Sequence, residues 1–566
     1  MMSLLETAVQ FVTLVVAFVG GFLALAAFYR LTLHPLARYP GPLLCKLSSI
    51  PDVYHAWKGD RHLHYYRLHR KYGPVVRYAP NKVSFDTGAA LKHIYSGNKK
   101  EFIKSDFYEG FPAVKGFPSV HSAIIKSEHA KKKRVMSHAF SEQALASAQP
   151  YIMEKIVQLC ELIGDNTRDT VVTPSGKPAK MISRLTSYFS FDVMGELCFG
   201  KGFDMLTSPD NRFALRMTSN AAHRHLVYGC FRLLDKLPFI GSYFFGHIVE
   251  DRKKFVEYSR AVASKRMALG DEGHRKDLFH YLMHATDPET GKGFERNELL
   301  SESNLLIVAG SDTTATSLGG CLHYLGLHAD IRKELSRQVR AQFYSVDEIH
   351  SGSTLTKSIP LLRACIDEAM RLSPPVPGVL PRTCLEDVVI DGCRIPKGCD
   401  VGVSTWSMHR NPKHFVKPLE YDPYRWLRGG QVDDSSKYSD VAQDIDEKAA
   451  LNETANARAG YAPFSIGTRS CIGRALAYSE LDCAVARICF MYDFEVCLEG
   501  KLGSGEFGYG YDDSDEFVAG RGKGGKINEW DVKKRDGEEV GTFRLWDHFA
   551  GEKEGSMMVF THANKD

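Results

Sequence analysis

The sequence predicts a mainly α-helical protein with small β-sheets, preceded by one N-terminal transmembrane helix. Three observations carry that prediction: one uncharged apolar run near the amino terminus, helical periodicity from about residue 128 to 375, and short strand-like pieces with Gly and Pro turn signals on either side of it. At 566 residues, 44% hydrophobic and 25% charged, the chain can bury a large core and is neither disordered nor fibrous. A net charge of +4 gives no argument for nucleic acid or for a strongly acidic substrate.

Residues 7–29 read TAVQFVTLVVAFVGGFLALAAFY, a run without charge and long enough to cross roughly 30 Å of hydrocarbon as a helix. A cleavable signal peptide is the competing reading. Nothing basic precedes the run, it is long for a signal core, and no small-residue cleavage site follows. Glu6 lies before it, whereas Arg30, His34, Arg38 and Lys46 follow, which places residues 1–6 in the lumen and the rest in the cytosol. Residues 30–42 form a basic, Pro/Gly-rich hinge ending at Pro40-Gly41-Pro42, where two prolines forbid a continuing helix.

The main body is then 43–566. Residues from about 50 to 100, including Tyr72-Gly73-Pro74-Val75-Val76-Arg77-Tyr78, suggest a first small sheet, and 376–405, with turns at Asp391-Gly392 and Pro396-Lys397-Gly398, a second. Two polar stretches, 431–456 and 500–541, lack a sustained apolar face and read as inserted surface loops. There is no internal repeat. The thirteen cysteines are odd in number, scattered from Cys45 to Cys497 and without a Cys-x-x-Cys pair. That excludes a disulfide framework, the common structural zinc sites and a thioredoxin-type motif, and it suits a reducing compartment.

One cysteine stands apart by context. Phe464-Ser465-Ile466-Gly467-Thr468-Arg469-Ser470-Cys471-Ile472-Gly473 is followed by a helix-forming stretch from Arg474 to Glu480. Cys471 therefore sits near a helix N-terminus, where backbone N–H groups and the dipole favour the thiolate. Gly467 and Gly473 would let backbone approach a flat cofactor, and Arg469 can pair with an anionic substituent on it. The competing reading is an inert buried cysteine.

The segment resembles the haem-binding signature of the cytochrome P450 family, Phe-x-x-Gly-x-Arg-x-Cys-x-Gly, at every fixed position. The resemblance implies haem b (iron protoporphyrin IX) with Cys471 as axial ligand of the iron, the thiolate pushing electron density that favours O–O cleavage. It further implies that Arg469 contacts a haem propionate, that Phe464 shields the iron–sulfur bond, and that Gly473 lies against the cofactor.

Three further stretches follow the family order. Ala309-Gly310-Ser311-Asp312-Thr313-Thr314 turns suddenly polar inside an apolar helix, and with Gly310 and a back-bonding threonine that helix is expected to open locally. By resemblance Thr313 hydrogen-bonds dioxygen and Asp312 relays protons. Glu368-Ala369-Met370-Arg371, an ordinary helix-surface pair by itself, is closed by Pro374-Pro375 and resembles the family's Glu-x-x-Arg helix. Tyr421-Asp422-Pro423-Tyr424-Arg425-Trp426 resembles the segment whose arginine, here Arg425, completes a structural network with that pair. Tyr424 stands where glutamate is usual, which leaves part of the pairing open. Arg382, His129 and Lys133 occupy further haem-contact positions of the family, with Arg134 the alternative to Lys133. The basic run Lys131-Lys132-Lys133-Arg134 reads equally as a solvated helix face or as a docking surface for an acidic redox partner.

The resemblance spans about Pro40 to Phe560 without the two insertions, and is nearest to fungal microsomal members close to benzoate hydroxylases and trichothecene-pathway hydroxylases. It implies a monooxygenase acting in secondary metabolite biosynthesis that uses dioxygen to oxidise a small lipophilic or aromatic substrate. NADPH enters only through a separate NADPH–cytochrome P450 reductase, because the chain has no dinucleotide or flavin signature. The implied location is the endoplasmic reticulum membrane, single-pass, in contact with membrane lipid. Substrate contacts are expected from Phe107, Tyr108, Phe111, Phe117, Leu306, Ala309, Thr313, Val376 to Leu380 and His548 to Ala550. The same haem chemistry also allows oxidative phenol coupling, desaturation or ring formation. A non-catalytic haem-binding protein is the alternative of another class, against which Asp312 and Thr313 speak.

Overall fold

The computed structural model describes residues 2–563 except 97–99, 174, 271–275, 351, 429–446 and 498–541. Its first element is the helix Met2–Phe28, followed by a π-helical turn Tyr29–Leu33. Apolar side chains point outward all along this helix, Phe18 at 77% exposure, and none of its most apolar window is covered by protein. A helix apolar on every face and packed against nothing is a candidate membrane anchor. The segment after it is fastened to the body. Leu36 and Tyr39 are buried, Arg77 donates to the Arg30 carbonyl at 2.8 Å, and the Arg77 N–H bonds the Pro40 carbonyl. Gly41 is required there, since a Cβ would lie 2.2 Å from the Arg77 oxygen.

Among the described residues, thirteen strands make the minor sheets. They are β1 (Val75–Ala79), β2 (Lys82–Phe85), β3 (Phe102–Lys104), β4 (Thr170–Val172), β5 (Pro178–Met181), β6 (Arg382–Cys384), β7 (Val388–Ile390), β8 (Cys393–Ile395), β9 (Asp400–Val403), β10 (Tyr492–Val496), β11 (Arg544–His548), β12 (Ala550–Glu554) and β13 (Met557–His562). A five-stranded sheet runs β1-β2-β9-β6-β3, with β2 and β9 parallel, and a second sheet runs β10-β13-β5-β4. In the first sheet Lys104 of β3 lies opposite Arg382 of β6.

The rest is helical and centred on Arg296–Leu327, opened by a capping box between Glu295 and Glu298. This helix is long and apolar enough to cross a membrane, but 72% of its most apolar window is buried in protein, which makes it the core helix. It is not opened at Gly310 as the sequence suggested: the helix is continuous, and Thr313 simply bonds the Ala309 carbonyl at 2.6 Å. Gly310 serves packing instead, because a Cβ there would meet Met194 Sδ of the helix Ile182–Phe199 at 2.4 Å.

One insertion also differs from expectation. Within 431–456, residues from 447 onward are not loop but the start of the helix Glu447–Gly460. Its sequence lacks an apolar stripe because charge and small residues hold it. Glu453 lies 3.3 Å from Arg428 and 3.5 Å from Arg425, Thr454 bonds the Arg425 carbonyl, and Ala457 is fully buried. The other insertion, 500–541, lies outside the described residues, as does 431–446.

Candidate active site

The helix Arg474–Met491 starts at Gly473, and the loop before it turns sharply so that the Cys471 N–H bonds the Phe464 carbonyl at 2.9 Å. Ser465 and Gly467 both adopt positive φ in that turn. Gly467 has no freedom to be anything else, since a Cβ would sit 2.2 Å from the Tyr95 oxygen. Its glycine thus answers to protein backbone rather than to a cofactor, whereas a Cβ on Gly473 would make ordinary contacts, 3.9 Å from Cys471 Sγ. Lys133 Nζ donates to the Thr468 carbonyl at 2.7 Å and ties the loop to the helix Lys126–Ser137.

Cys471 is exposed and lines a cavity of about 290 Å³. Phe464, Ile472, Gly473 and Leu476 form the wall around it, while Leu306, Ala309, Gly310 and Thr313 contribute the core helix to the same cavity. Burial raises the Cys471 thiol pKa, and the Gly473 N–H, Lys133 and Arg474 pull it back down.

Around Arg469 on the cavity wall the protein gathers further cations, Lys104, Arg382 and Lys133. Lys104 and Arg382 face each other across β3 and β6, an arrangement that is destabilising on its own. Lys104 donates to the His121 carbonyl, Arg382 to the Pro381 carbonyl at 3.1 Å, and Arg469 to the Ala123 and Ile124 carbonyls at 2.6 and 2.9 Å. No carboxylate lies within ion-pair distance of Lys104, Arg382, Arg469 or Lys133 among the described residues. Burial, then Arg382 and Arg469, drive the Lys104 pKa well below normal. Burial, then Arg469, Lys104, Lys133 and Arg382, lower His129 to about 3. Burial and Arg382 bring Arg469 to about 10. Among the described residues His121 Nε2 is buried with no hydrogen-bond partner. Cations gathered in this way, held by backbone carbonyls and without a carboxylate partner among the described residues, suit an anionic group.

The match to the cytochrome P450 family pattern covers residues 39–504, most of the chain and all of this cavity's central elements. The chain belongs to the cytochrome P450 family. Its relatives include cytochrome P450 monooxygenase poxM of Penicillium oxalicum, 35% identical over 498 residues covering 87% of this chain and 90% of that protein. Another is cytochrome P450 monooxygenase atnE of Emericella nidulans, 36% identical over 477 residues covering 82% of this chain and 87% of that protein. Among solved structures the haem domain of cytochrome P450DA shares the fold, with a TM-score of 0.65 at 18% identity over 89% of this chain and 93% of that one. This P450 is therefore an oxygen-incorporating oxidoreductase whose family implies haem, and its residues fit that group: a cysteine thiol lines the cavity, and cations with no carboxylate partner among the described residues gather around Arg469.

Other residues fall into place around this frame. Asp312 is buried yet turns away from the cavity lining. Burial pushes its pKa up to about 7 while Lys553 of β12 draws it down and Glu552 pushes it up. Phe111, Leu306, Ala309, Val376, Leu380, Phe549 and Ala550 line the cavity as expected, whereas Phe107, Tyr108, Phe117 and His548 lie outside its lining. Phe107 packs on Gly229 and His548 stacks on His223 at 4.0 Å. The basic run is not a free surface, because Lys132 pairs with Glu298 and Glu302, and Arg134 with Asp287 and Glu289. Arg134 is thereby spent, which leaves Lys133 beside the cysteine loop.

Glu368, Arg371 and Arg425 meet with no exposure to solvent. Trp426 Nε1 donates to the second Glu368 oxygen at 3.0 Å, while Arg425 Nη2 is buried without a hydrogen-bond partner among the described residues, so the pairing is left incomplete where Tyr424 stands. Sequence reasoning missed Lys104, His121, His225 and Glu480, all of which reach the cation cluster or the cavity wall. Burial lifts Glu480 to about 8, and one of its oxygens has no hydrogen-bond partner among the described residues. None of these belongs to a local motif, so no signal in the sequence could have found them.

Proposed function

We propose that this P450 is a membrane-anchored monooxygenase of secondary metabolite biosynthesis that hydroxylates a small lipophilic or aromatic molecule. The observation that carries the proposal is the cavity shared by Cys471, Thr313 and Arg469, with Arg382 and Lys104 near Arg469 and no carboxylate within ion-pair distance of these three cations among the described residues. Bound haem would supply dioxygen activation and insertion of one oxygen atom into the substrate, the other leaving as water.

Cys471 would hold the iron through its sulfur. The Gly473 N–H, Lys133 and Arg474 favour the thiolate there against the cost of burial. Arg469, Arg382, Lys133 and Lys104 would neutralise the propionates and so relieve their mutual repulsion, and the neutral rings of His129 and His121 would hydrogen-bond to them. Phe464, whose ring lies 5.1 Å from that of Tyr478, would screen the sulfur from water. Thr313 presents its hydroxyl oxygen at the cavity wall while its proton rests on the Ala309 carbonyl, ready to be shared with a ligand. Asp312, raised to about 7 by burial, would be the proton source of a relay that reaches the cavity through the adjacent Thr313. Glu368, Arg371 and Arg425 would brace the segments that carry the cysteine loop. The apolar, aromatic lining suits a lipophilic substrate.

Residues 7–29 would span the endoplasmic reticulum membrane with the body, 43–566, in the cytosol, as the basic residues after the anchor favour. Electrons would come from NADPH through a separate reductase. The test is reconstitution of the full chain in phospholipid vesicles with and without NADPH–cytochrome P450 reductase. Oxygen from labelled dioxygen should enter product only when the reductase is present, and turnover with NADPH alone would refute the partner.

A further inference from the structure

We propose that His225, oriented by Arg252, is a specificity-determining residue that donates its Nδ1–H to a carbonyl-type oxygen of the substrate. The inference deepens the function proposed above and rests on its reading of the substrate as a lipophilic small molecule.

His225 stands on the helix Phe213–Cys230, is 8% exposed, and lines the cavity together with Ala222 and Phe111. Arg252, on the helix Pro238–Leu269, donates its Nε–H to His225 Nε2 at 3.0 Å and its Nη2–H to the Pro112 carbonyl at 2.8 Å. A guanidinium can only donate, so Nε2 must be the accepting nitrogen. The proton of the neutral ring is thereby confined to Nδ1. Burial, then Arg252 and Arg224, hold the imidazole pKa well below its usual value, so the ring stays neutral. Among the described residues Nδ1 has no hydrogen-bond partner, and a donor left bare inside a protein costs free energy until something accepts from it.

The surroundings say what that something is. No carboxylate reaches ion-pair distance of Arg252 among the described residues, and Asp235 acts on it only at longer range. The guanidinium therefore polarises the ring and strengthens the opposite N–H toward an electron-rich oxygen. Several other donors on the wall are already spent: Asn304 on Ser259, Ser301 on the Phe117 carbonyl, Ser317 on the Thr313 carbonyl. His225 is also rigidly placed. Arg224, Arg252 and Arg260 donate to the carbonyls of Gly110, Pro112 and Ala113, which fixes Phe111 with its ring 4.6 Å from that of His225. An oxygen acceptor would thus meet a donor whose tautomer, direction and neighbours are set before binding.

The test uses the haem-loaded full chain and two ligands of like size, benzophenone and diphenylmethane, titrated against the haem absorption band. Wild type should bind the ketone about tenfold more tightly than the hydrocarbon, the worth of one polarised hydrogen bond. His225→Phe should abolish the preference while keeping the carbon-monoxide difference band, and His225→Asn, which restores an N–H donor, should recover part of it. Equal affinities in wild type, or a preference that survives His225→Phe, would overturn the assignment. If neither ligand moves the haem band of wild type, the lipophilic-substrate reading falls and takes this inference with it.

Discussion

Removing one carboxylate, Glu368→Ala, should destabilise the whole catalytic body. Glu368 is fully buried and accepts five hydrogen bonds: Arg371 Nη2, Arg425 Nε and the Asp422 N–H on one oxygen, and Arg371 Nε and Trp426 Nε1 on the other, all between 2.8 and 3.0 Å. Breaking a buried ion pair by deleting one partner costs about 3–5 kcal/mol, because the remaining charge is left uncompensated. Here two guanidinium groups lose their shared counter-ion. Arg371 keeps the carbonyls of His409, Pro418 and Glu420, and Arg425 keeps Glu453 at 3.5 Å, so the loss should fall within that range rather than beyond it.

The assay is urea unfolding of the haem-loaded protein followed by haem absorbance and far-ultraviolet circular dichroism. Glu368→Gln keeps the volume but not the charge, and should lose less than Glu368→Ala. The pH dependence carries a sign. Burial raises the Glu368 pKa, but Arg371 and Arg425 outweigh it and hold the folded value below the ordinary 4.5. Its contribution is therefore present above about pH 4.5 and fades as pH falls through the lower folded value, an acid sensitivity that Glu368→Ala should lack. A loss below about 1 kcal/mol in Glu368→Ala would refute the reasoning.

Cys471→Ser should abolish the red-shifted carbon-monoxide difference band while leaving the far-ultraviolet spectrum of the fold, and a retained band would move the ligand elsewhere. In Thr313→Ala haem should stay bound but reducing equivalents should appear as peroxide, measured as hydrogen peroxide released per NADPH; fully coupled turnover would count against the proton-delivery role. Asp312 has its folded pKa raised from 3.8 to about 7, chiefly by burial, so wild type should lose stability as pH rises from about 4 to 7, where only the unfolded chain ionises. Asp312→Asn should flatten that slope in unfolding titrations and slow proton-dependent turnover, and an unchanged slope would show that the carboxyl is ionised in the folded protein.

Much of the candidate site was legible because it is written locally. The turn from Phe464 to Gly473 and the helix after it lie within one short stretch, so the placement of Cys471 at a helix start follows from neighbouring residues alone. The same is true of the anchor, whose lack of charge is a property of contiguous sequence. Local patterns misled where two meanings share one composition. Gly310 beside threonines resembles a helix kink but is a packing glycine against Met194. Lys131 to Arg134 resembles a solvated face, yet its members point to Glu298, Asp287 and the cysteine loop.

The sequence by itself determined the class of fold, the apolar N-terminal helix, the setting of Cys471 and the order of the family motifs, because each depends on residues close together along the chain. Only the tertiary structure decided the rest. Lys104 meets Arg382 through strand register, and Arg469 and His129 join them from two separate helical regions. His225 acquires its tautomer from Arg252 across a helix pair, and the helix Glu447–Gly460 is held by Arg425 and Arg428 rather than by an apolar stripe of its own. Charge and burial act through space, with a reach of a few ångströms and no regard for separation in sequence, so no inspection of the chain in order can show which cations will find themselves without an anion.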